Sequence, residues 1–125
     1  MNTLRFENIS DGYIRVLDLL NCDMEVKRLF IVSPRELGVR GKHAHRECKQ
    51  IIFCLKGSVQ VRLFDGDRWA DREIRPGSDS VFVRPMIWCE QIYKTADSEI
   101  LVLCDQPYDE TDYIRSFETF QKLRS

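Results

Sequence analysis

The chain has two histidines in 125 residues and no third. It has five cysteines but no C-x-x-C pair. No apolar run approaches the roughly 20 residues needed to cross a bilayer. Net charge is nearly absent too: 19 basic residues face 20 acidic ones. Each shortage excludes something. A balanced charge argues against a general nucleic-acid or anionic-membrane binder, which carries a basic surplus. Without C-x-x-C spacing there is no zinc finger. The N-terminus, "MNTLRFENISDG", has neither an apolar signal-peptide core nor a cleavage pattern. The expectation is therefore a cytoplasmic protein with no membrane or nucleic-acid partner. In that setting Cys22, Cys48, Cys54, Cys89 and Cys104 read as free, mostly buried thiols rather than a disulfide framework.

What is present reads as one domain spanning residues 1–125. Hydrophobic residues make up 43 % and charged residues 31 %, an ordinary globular mixture. No repeat, linker or low-complexity tract interrupts it. The middle of the chain has period two or short β-rich runs. "VKRLFIVSP" (Val26 to Pro34) is a strand stopped by proline. "KQIIFCLKG" is a buried-type strand ending at Gly57. In "SVQVRLFDGD", Val59, Val61 and Leu63 share one face, and Asp65-Gly66 supplies a tight turn. "REIRPGS" leads into a second turn at Pro76-Gly77. "SVFVRP" is a strand closed by Pro85, and "SEILVLCD" is a last apolar strand. Short strands punctuated by glycine and proline indicate an all-β sandwich or barrel rather than alternating β/α units.

The tail, "YDETDYIRSFETFQKLRS", changes character near Pro107. Tyr113, Phe117 and Phe120 fall on one helical stripe, with Asp109 or Thr111 placed to cap its start and Lys122 and Arg124 in its last turn. The expectation is a short C-terminal helix lying against the sheet.

The run "RGKHAH", Arg40 to His45, holds the whole stock of imidazole. On a strand, positions i and i+2 lie roughly 6.6 Å apart on one face, so both rings can converge on one ligand. Gly41 and the apolar strand from Ile51 suggest a turn feeding a strand at the mouth of a sheet. Three readings compete: two ordinary hydrogen-bonded histidines, a metal site, or general acid–base chemistry near neutral pH.

The stretch Gly38 to Gly57 resembles the first motif of the cupin superfamily: a glycine, an H-x-H, a carboxylate a few residues on, then a closing glycine. Metal-binding cupins carry glutamate where this chain has Gln50, and a later histidine where it reads "RPMIWCEQ". Two of the usual four ligands are missing. Glu47, Cys89 or Glu90 could substitute, but no spacing demands it. Keeping both imidazoles while losing the rest favours proton transfer with no metal and no cofactor.

The longer runs narrow the resemblance. "RGKHAHRECKQIIFCLKGSVQV", "FVRPMIWCEQI" and "LVLCDQPYDETDYIRSFETF" together resemble the sugar-nucleotide 3,4-ketoisomerases. The likeness covers Val26 to Phe120. It implies a cupin jelly-roll barrel with a short C-terminal helix, and a metal-free enzyme acting on dTDP-4-keto-6-deoxyglucose. Such an enzyme moves the keto group from carbon 4 to carbon 3 through an enediol, in the making of deoxyamino sugars. It also implies a homodimer that exchanges N-terminal strands. His43 and His45 match the motif histidines: one takes the carbon 3 proton, assigned to His43, and the other shuttles between oxygens or orients its neighbour, or the reverse. Arg28, Arg40, Gln50, Trp88 and Glu90 are the candidate substrate-binding residues, with Glu90 also a candidate partner for an imidazole. Tyr113, Ile114 and Arg115 are expected to pack the helix. Two departures stand out. The family's tyrosine beside the position of Phe30 is absent, and its Asp-x-Arg-Gly segment reads "ISDGYIRV", where Tyr13 or Arg15 could supply other contacts.

Overall fold

The computed structural model describes residues 4–12, 14–20 and 22–125. Tyr13, one of the expected contacts, lies outside them. Among the described residues the backbone forms β1 (Glu7–Ile9), β2 (Ile14–Val16), β3 (Arg28–Val32), β4 (Gly38–His45), β5 (Gln50–Lys56) and β6 (Val59–Phe64). There follow β7 (Trp69–Ile74), β8 (Val81–Val83), β9 (Trp88–Tyr93), β10 (Glu99–Cys104), β11 (Tyr113–Ile114) and one helix, α1 (Phe117–Arg124).

The strands build two facing sheets and a hairpin. One sheet runs β3-β10-β5-β8, the other β11-β4-β9-β6-β7, and β1 pairs with β2. Every pairing is antiparallel. The chain crosses between sheets at the β3–β4, β4–β5, β5–β6, β7–β8, β8–β9, β9–β10 and β10–β11 connections. This is the all-β sandwich that the glycine and proline punctuation predicts, and its connectivity is the cupin jelly roll that the resemblance implies. No described helix is long and apolar enough to cross a membrane.

Alternation places the core. Ile52, Val59, Val61, Ile74, Ile100 and Val102 point between the sheets and are almost wholly buried. Burying each such side chain contributes about 1.5–3 kcal/mol relative to exposure. The β5 run is apolar on both faces for a reason. Ile51 and Phe53 turn outward, where Leu4, Phe6, Leu17, Met24 and Val26 of the N-terminal segment cover them. The cysteines behave as read: all five are free, and all but Cys22 are buried.

The tail departs from expectation. The helix starts only at Phe117, with Ser116 as its N-cap, its hydroxyl accepting from the Thr119 amide at 3.2 Å. Before it, Asp109 caps a single 3-10 turn, Glu110–Asp112, and Tyr113–Ile114 pair with Ala44 and His45 as an edge strand. The period-3.6 stripe was real for Phe117 and Phe120, which pack on Trp88 and Phe64. Tyr113 shares that spacing but not that face. The open edge of β4 supplies ladder partners that a helix could not offer.

Candidate active site

β4 carries the two imidazoles inward at one end of the sandwich. Its ladder with β9 shifts between Gly41 and His43, because the backbone bulges there with Gly41 at φ 87° and Lys42 at φ 50°. Ala44 faces outward into the helix cluster, so its neighbours His43 and His45 face between the sheets. The ring centroids are 5.0 Å apart and the ring planes are near perpendicular at 88°.

Each ring is held by its Nδ1. His43 Nδ1 lies 2.9 Å from the Gly41 carbonyl, and His45 Nδ1 lies 2.9 Å from Asp112 Oδ2. Both acceptors demand a proton on Nδ1, which leaves the lone pair on Nε2 of both rings. His45 Nε2 is buried with no partner. His45 is also fixed from behind: its carbonyl accepts from the Met86 amide at 2.7 Å, and the Arg46 amide donates to the Asp112 carbonyl at 2.9 Å. Burial pulls the His43 pKa down to about 4, against its bond to Gly41. Burial also lowers His45, opposed by the Asp112 carboxylate, whose bond and charge favour the imidazolium. Both rings are therefore neutral near pH 7.

Three residues complete the wall. Tyr113 packs its ring on both imidazoles, with centroids 4.3 Å from His45 and 5.1 Å from His43. Arg28, on the facing sheet, donates from Nη1 to the Tyr113 hydroxyl at 3.4 Å. Its Nε is buried and unpartnered. Burial works against the Arg28 charge, but its contacts with Tyr113 and Cys104 more than offset this and raise its pKa. The ladder of β3, β10 and β5 sets Arg28, Cys104 and Gln50 in one inward row. Gln50 is buried and donates to Cys104 Sγ at 3.5 Å.

The structure thus gathers His43, His45, Arg28 and Gln50, and separates the other expected residues from them. Trp88 and Glu90 flank Cys89, which opposes His43, so alternation turns both to the outer face. There the indole is buried against Phe117 and Phe120 and donates to Glu90 Oε2 at 3.0 Å. Glu90 bonds an indole, not an imidazole. Arg40 is exposed at the other end of the sandwich, beside Ile31–Glu36. Arg15 donates to the Leu55 carbonyl at 2.9 Å. Asp112 and Tyr113 escaped sequence reasoning because the tail reads as one helix. The signal was in the run "ETDYIR", where a carboxylate and a phenol fall side by side in a segment too polar for simple packing.

A second arrangement lies behind His45. Donor atoms of His45, Cys48 and Asp112 fall within 4.8 Å of one another. Asp112 Oδ2 already holds His45 Nδ1, and Oδ1 accepts from the Glu47 amide at 2.7 Å. The Cys48 thiol is pushed far up by its hydrogen bond to Cys104 and by burial, so it stays protonated. The cluster is a closed hydrogen-bond network, and a cation would have to displace protons from both His45 and Cys48.

Two facing antiparallel sheets with a carboxylate-backed imidazole pair inside one end define a jelly-roll protein equipped for proton transfer. The family follows from comparison: a profile described as "FdtA: WxcM-like, C-terminal" matches residues 1–125, and the chain belongs to that family. The TDP-4-oxo-6-deoxy-alpha-D-glucose-3,4-oxoisomerase of Aneurinibacillus thermoaerophilus is 31 % identical over 123 residues, covering 95 % of this chain and 88 % of that protein. A histidine-to-asparagine mutant of the 3,4-ketoisomerase QdtA from Thermoanaerobacterium thermosaccharolyticum, in complex with TDP-4-keto-6-deoxyglucose, superposes with a TM-score of 0.87 at 28 % identity, over 98 % of this chain and 92 % of that one. WlaRA, a TDP-fucose-3,4-ketoisomerase from Campylobacter jejuni, gives 0.85 at 26 % identity, over 98 % and 93 %. The resemblance read from the three sequence runs is the kinship found.

Proposed function

We propose that this chain is a sugar-nucleotide 3,4-ketoisomerase that converts TDP-4-keto-6-deoxyglucose to a TDP-3-keto-6-deoxyhexose by histidine acid–base catalysis. The observation that carries the reading is the pair of neutral imidazoles, 5.0 Å apart on one inward strand face, both with Nδ1 engaged so that Nε2 carries the lone pair, and one of them backed by Asp112. The family and the activities of its relatives support it.

The chemistry matches the groups. A C–H beside a ketone is acidic because its conjugate base is an enolate. His45 Nε2 removes the carbon 3 proton, the electrons move onto the carbon 4 oxygen, and protonation there gives an enediol. The carbon 3 hydroxyl then yields its proton as carbon 4 is reprotonated, leaving the ketone at carbon 3. The structure favours His45 for the carbon acid, since Asp112 stabilises the imidazolium that forms. His43, held near 4 by burial, is the poorer base and serves the oxygens. This reverses the order first assigned. Tyr113, whose oxygen already accepts from Arg28, keeps its own proton to donate to the oxygen at carbon 4. A positioned acid–base group supplies about 10²–10⁴-fold.

Incubation with TDP-4-keto-6-deoxyglucose in D2O tests this. Deuterium should enter carbon 4 of the 3-keto product, and carbon 3 of the 4-keto substrate re-formed by reversal. No exchange above that of the His45→Asn variant would reject the reading.

The same reading takes residues 1–125 as one cytoplasmic domain and its working form as a homodimer. The edge strand β3 turns Leu29 and Ile31 outward, 60 % and 54 % exposed, and the β1–β2 hairpin exposes Ile9, Ile14 and Val16. That is a row of unpaired backbone and apolar side chains suited to a second copy. Light scattering at the mass of a monomer would count against it.

A further inference from the structure

At the edge of the sandwich away from the imidazoles, β7 and β8 face each other across a cleft of about 390 Å³. Its floor is apolar, from Leu63, Phe82 and Ile87, and its rim carries Arg68, Arg72 and Arg84. The row His43, Cys89, Leu63, Ala70 runs from one site to the other across β4, β9, β6 and β7. Three strand spacings put the cleft about 14 Å from His43, with buried core between.

The charge of the cleft is out of keeping with the chain. Three guanidinium groups meet one lining carboxylate, Asp65, in a protein of net charge −1. Asp65 Oδ1 is already occupied by the amides of Asp67 and Arg68, at 2.8 Å each. Among the described residues, Arg72 bonds only the Asp71 carbonyl, at 3.2 Å, and no carboxylate pairs with Arg72 or Arg84. Arg68 pairs loosely with Asp67 at 3.6 Å, both side chains being 87 % exposed. Unpaired guanidinium forks around a concavity suit phosphate oxygens, which they bind two at a time. The apolar floor suits a flat organic body, and the volume is in the range of small-molecule sites.

We propose that this cleft is a second, non-catalytic binding site for a nucleoside phosphate, whose phosphates meet Arg68, Arg72 and Arg84 while its base and sugar cover Leu63, Phe82 and Ile87. Occupancy reaches the active site through one loop. Arg84 and Ile87 belong to the cleft, and Met86 between them donates to the His45 carbonyl at 2.7 Å. A ligand that braces this loop braces His45.

The test is calorimetric titration of the full chain with TDP, in low and high salt. The Arg72→Gln/Arg84→Gln variant should lose one TDP site per chain, or show it about 100-fold weakened, since each charge-assisted contact is worth roughly tenfold. High salt should weaken that same site. Neither residue touches the imidazoles, so turnover without added TDP should stay unchanged. Ala70→Glu, which removes no arginine and places a carboxylate among them, should have the same effect. A count of TDP sites that falls by one in these variants supports the proposal, and an unchanged count and affinity in both overturns it. That outcome is independent of the ketoisomerase reading, which is judged by the sites that remain.

Discussion

Replacing Asp112 by asparagine changes one atom and should disable His45 without moving it. The carboxylate makes three contacts: Oδ2 to His45 Nδ1 at 2.9 Å, Oδ1 to the Glu47 amide at 2.7 Å, and Oδ2 to the Cys48 amide at 3.4 Å. An asparagine has one acceptor and one donor for these positions. The shorter bond to the Glu47 amide keeps the oxygen, because an NH2 there would face another donor. The NH2 then faces His45 Nδ1 and can bond it only if Nδ1 gives up its proton. The ring moves to its other tautomer, with the proton on Nε2, where the lone pair was needed. The imidazolium also loses its counter-charge. The expected result is a fall in kcat of about 10²–10⁴-fold with little change in KM. Stability should drop by only roughly 1–2 kcal/mol, since the fold loses a charge-assisted bond but no volume. Deuterium exchange at carbon 3 measures the rate, and 15N NMR of the imidazole reports the tautomer. Turnover within about threefold of the native rate, with Nδ1 still protonated, would refute the argument.

Other outcomes follow from the same geometry. His43 titrates near 4 in the fold against 6.5 for the ordinary group, so the unfolded chain binds a proton that the native state refuses. Stability should therefore decline as pH falls from 6.5 to about 4, by roughly 3 kcal/mol from this residue, and level off below. Urea unfolding across that range should show the slope, and His43→Asn should flatten it. Tyr113→Phe keeps the ring stacked on both imidazoles and removes only the hydroxyl, so kcat should fall by about tenfold or more with KM nearly constant; an unchanged kcat would remove Tyr113 from the mechanism. Trp88→Phe should cost roughly 1–2 kcal/mol, from a cavity and the lost bond to Glu90, and leave kcat and KM unaltered because the indole faces the helix. A raised KM would return Trp88 to the substrate pocket. Gly57→Ala should cost about 2–4 kcal/mol by thermal unfolding, since φ is 74° there and the new Cβ would lie 2.8 Å from Ser98 Cα.

Much of the architecture was readable because its causes are local. The alternation of Val59, Val61 and Leu63, the apolar run from Ile51, the Asp65-Gly66 turn and the Pro85 stop each act within a few residues, and the observed strands fall where they predict. His43 and His45 share a face for the same reason. The tail misled because two periodicities fit it. Tyr113 is spaced for the helix stripe, and only the free edge of β4 makes it a strand instead. Trp88 and Glu90, two positions apart on β9, share a face as strand alternation requires. Which face could not be known, since both sides of β9 are buried, one by the opposing sheet and one by α1.

The sequence alone therefore determined the core strands, the turns, the all-β class and the pairing of two imidazoles at one point. Tertiary structure decided what surrounds them. Asp112 reaches His45 across 67 positions of chain, and Arg28 reaches Tyr113 across 85. Strand propensity and turn chemistry are set by near neighbours. Tautomer, pKa and the open lone pair of a buried histidine are set by groups that only closure of the sandwich brings within hydrogen-bond distance.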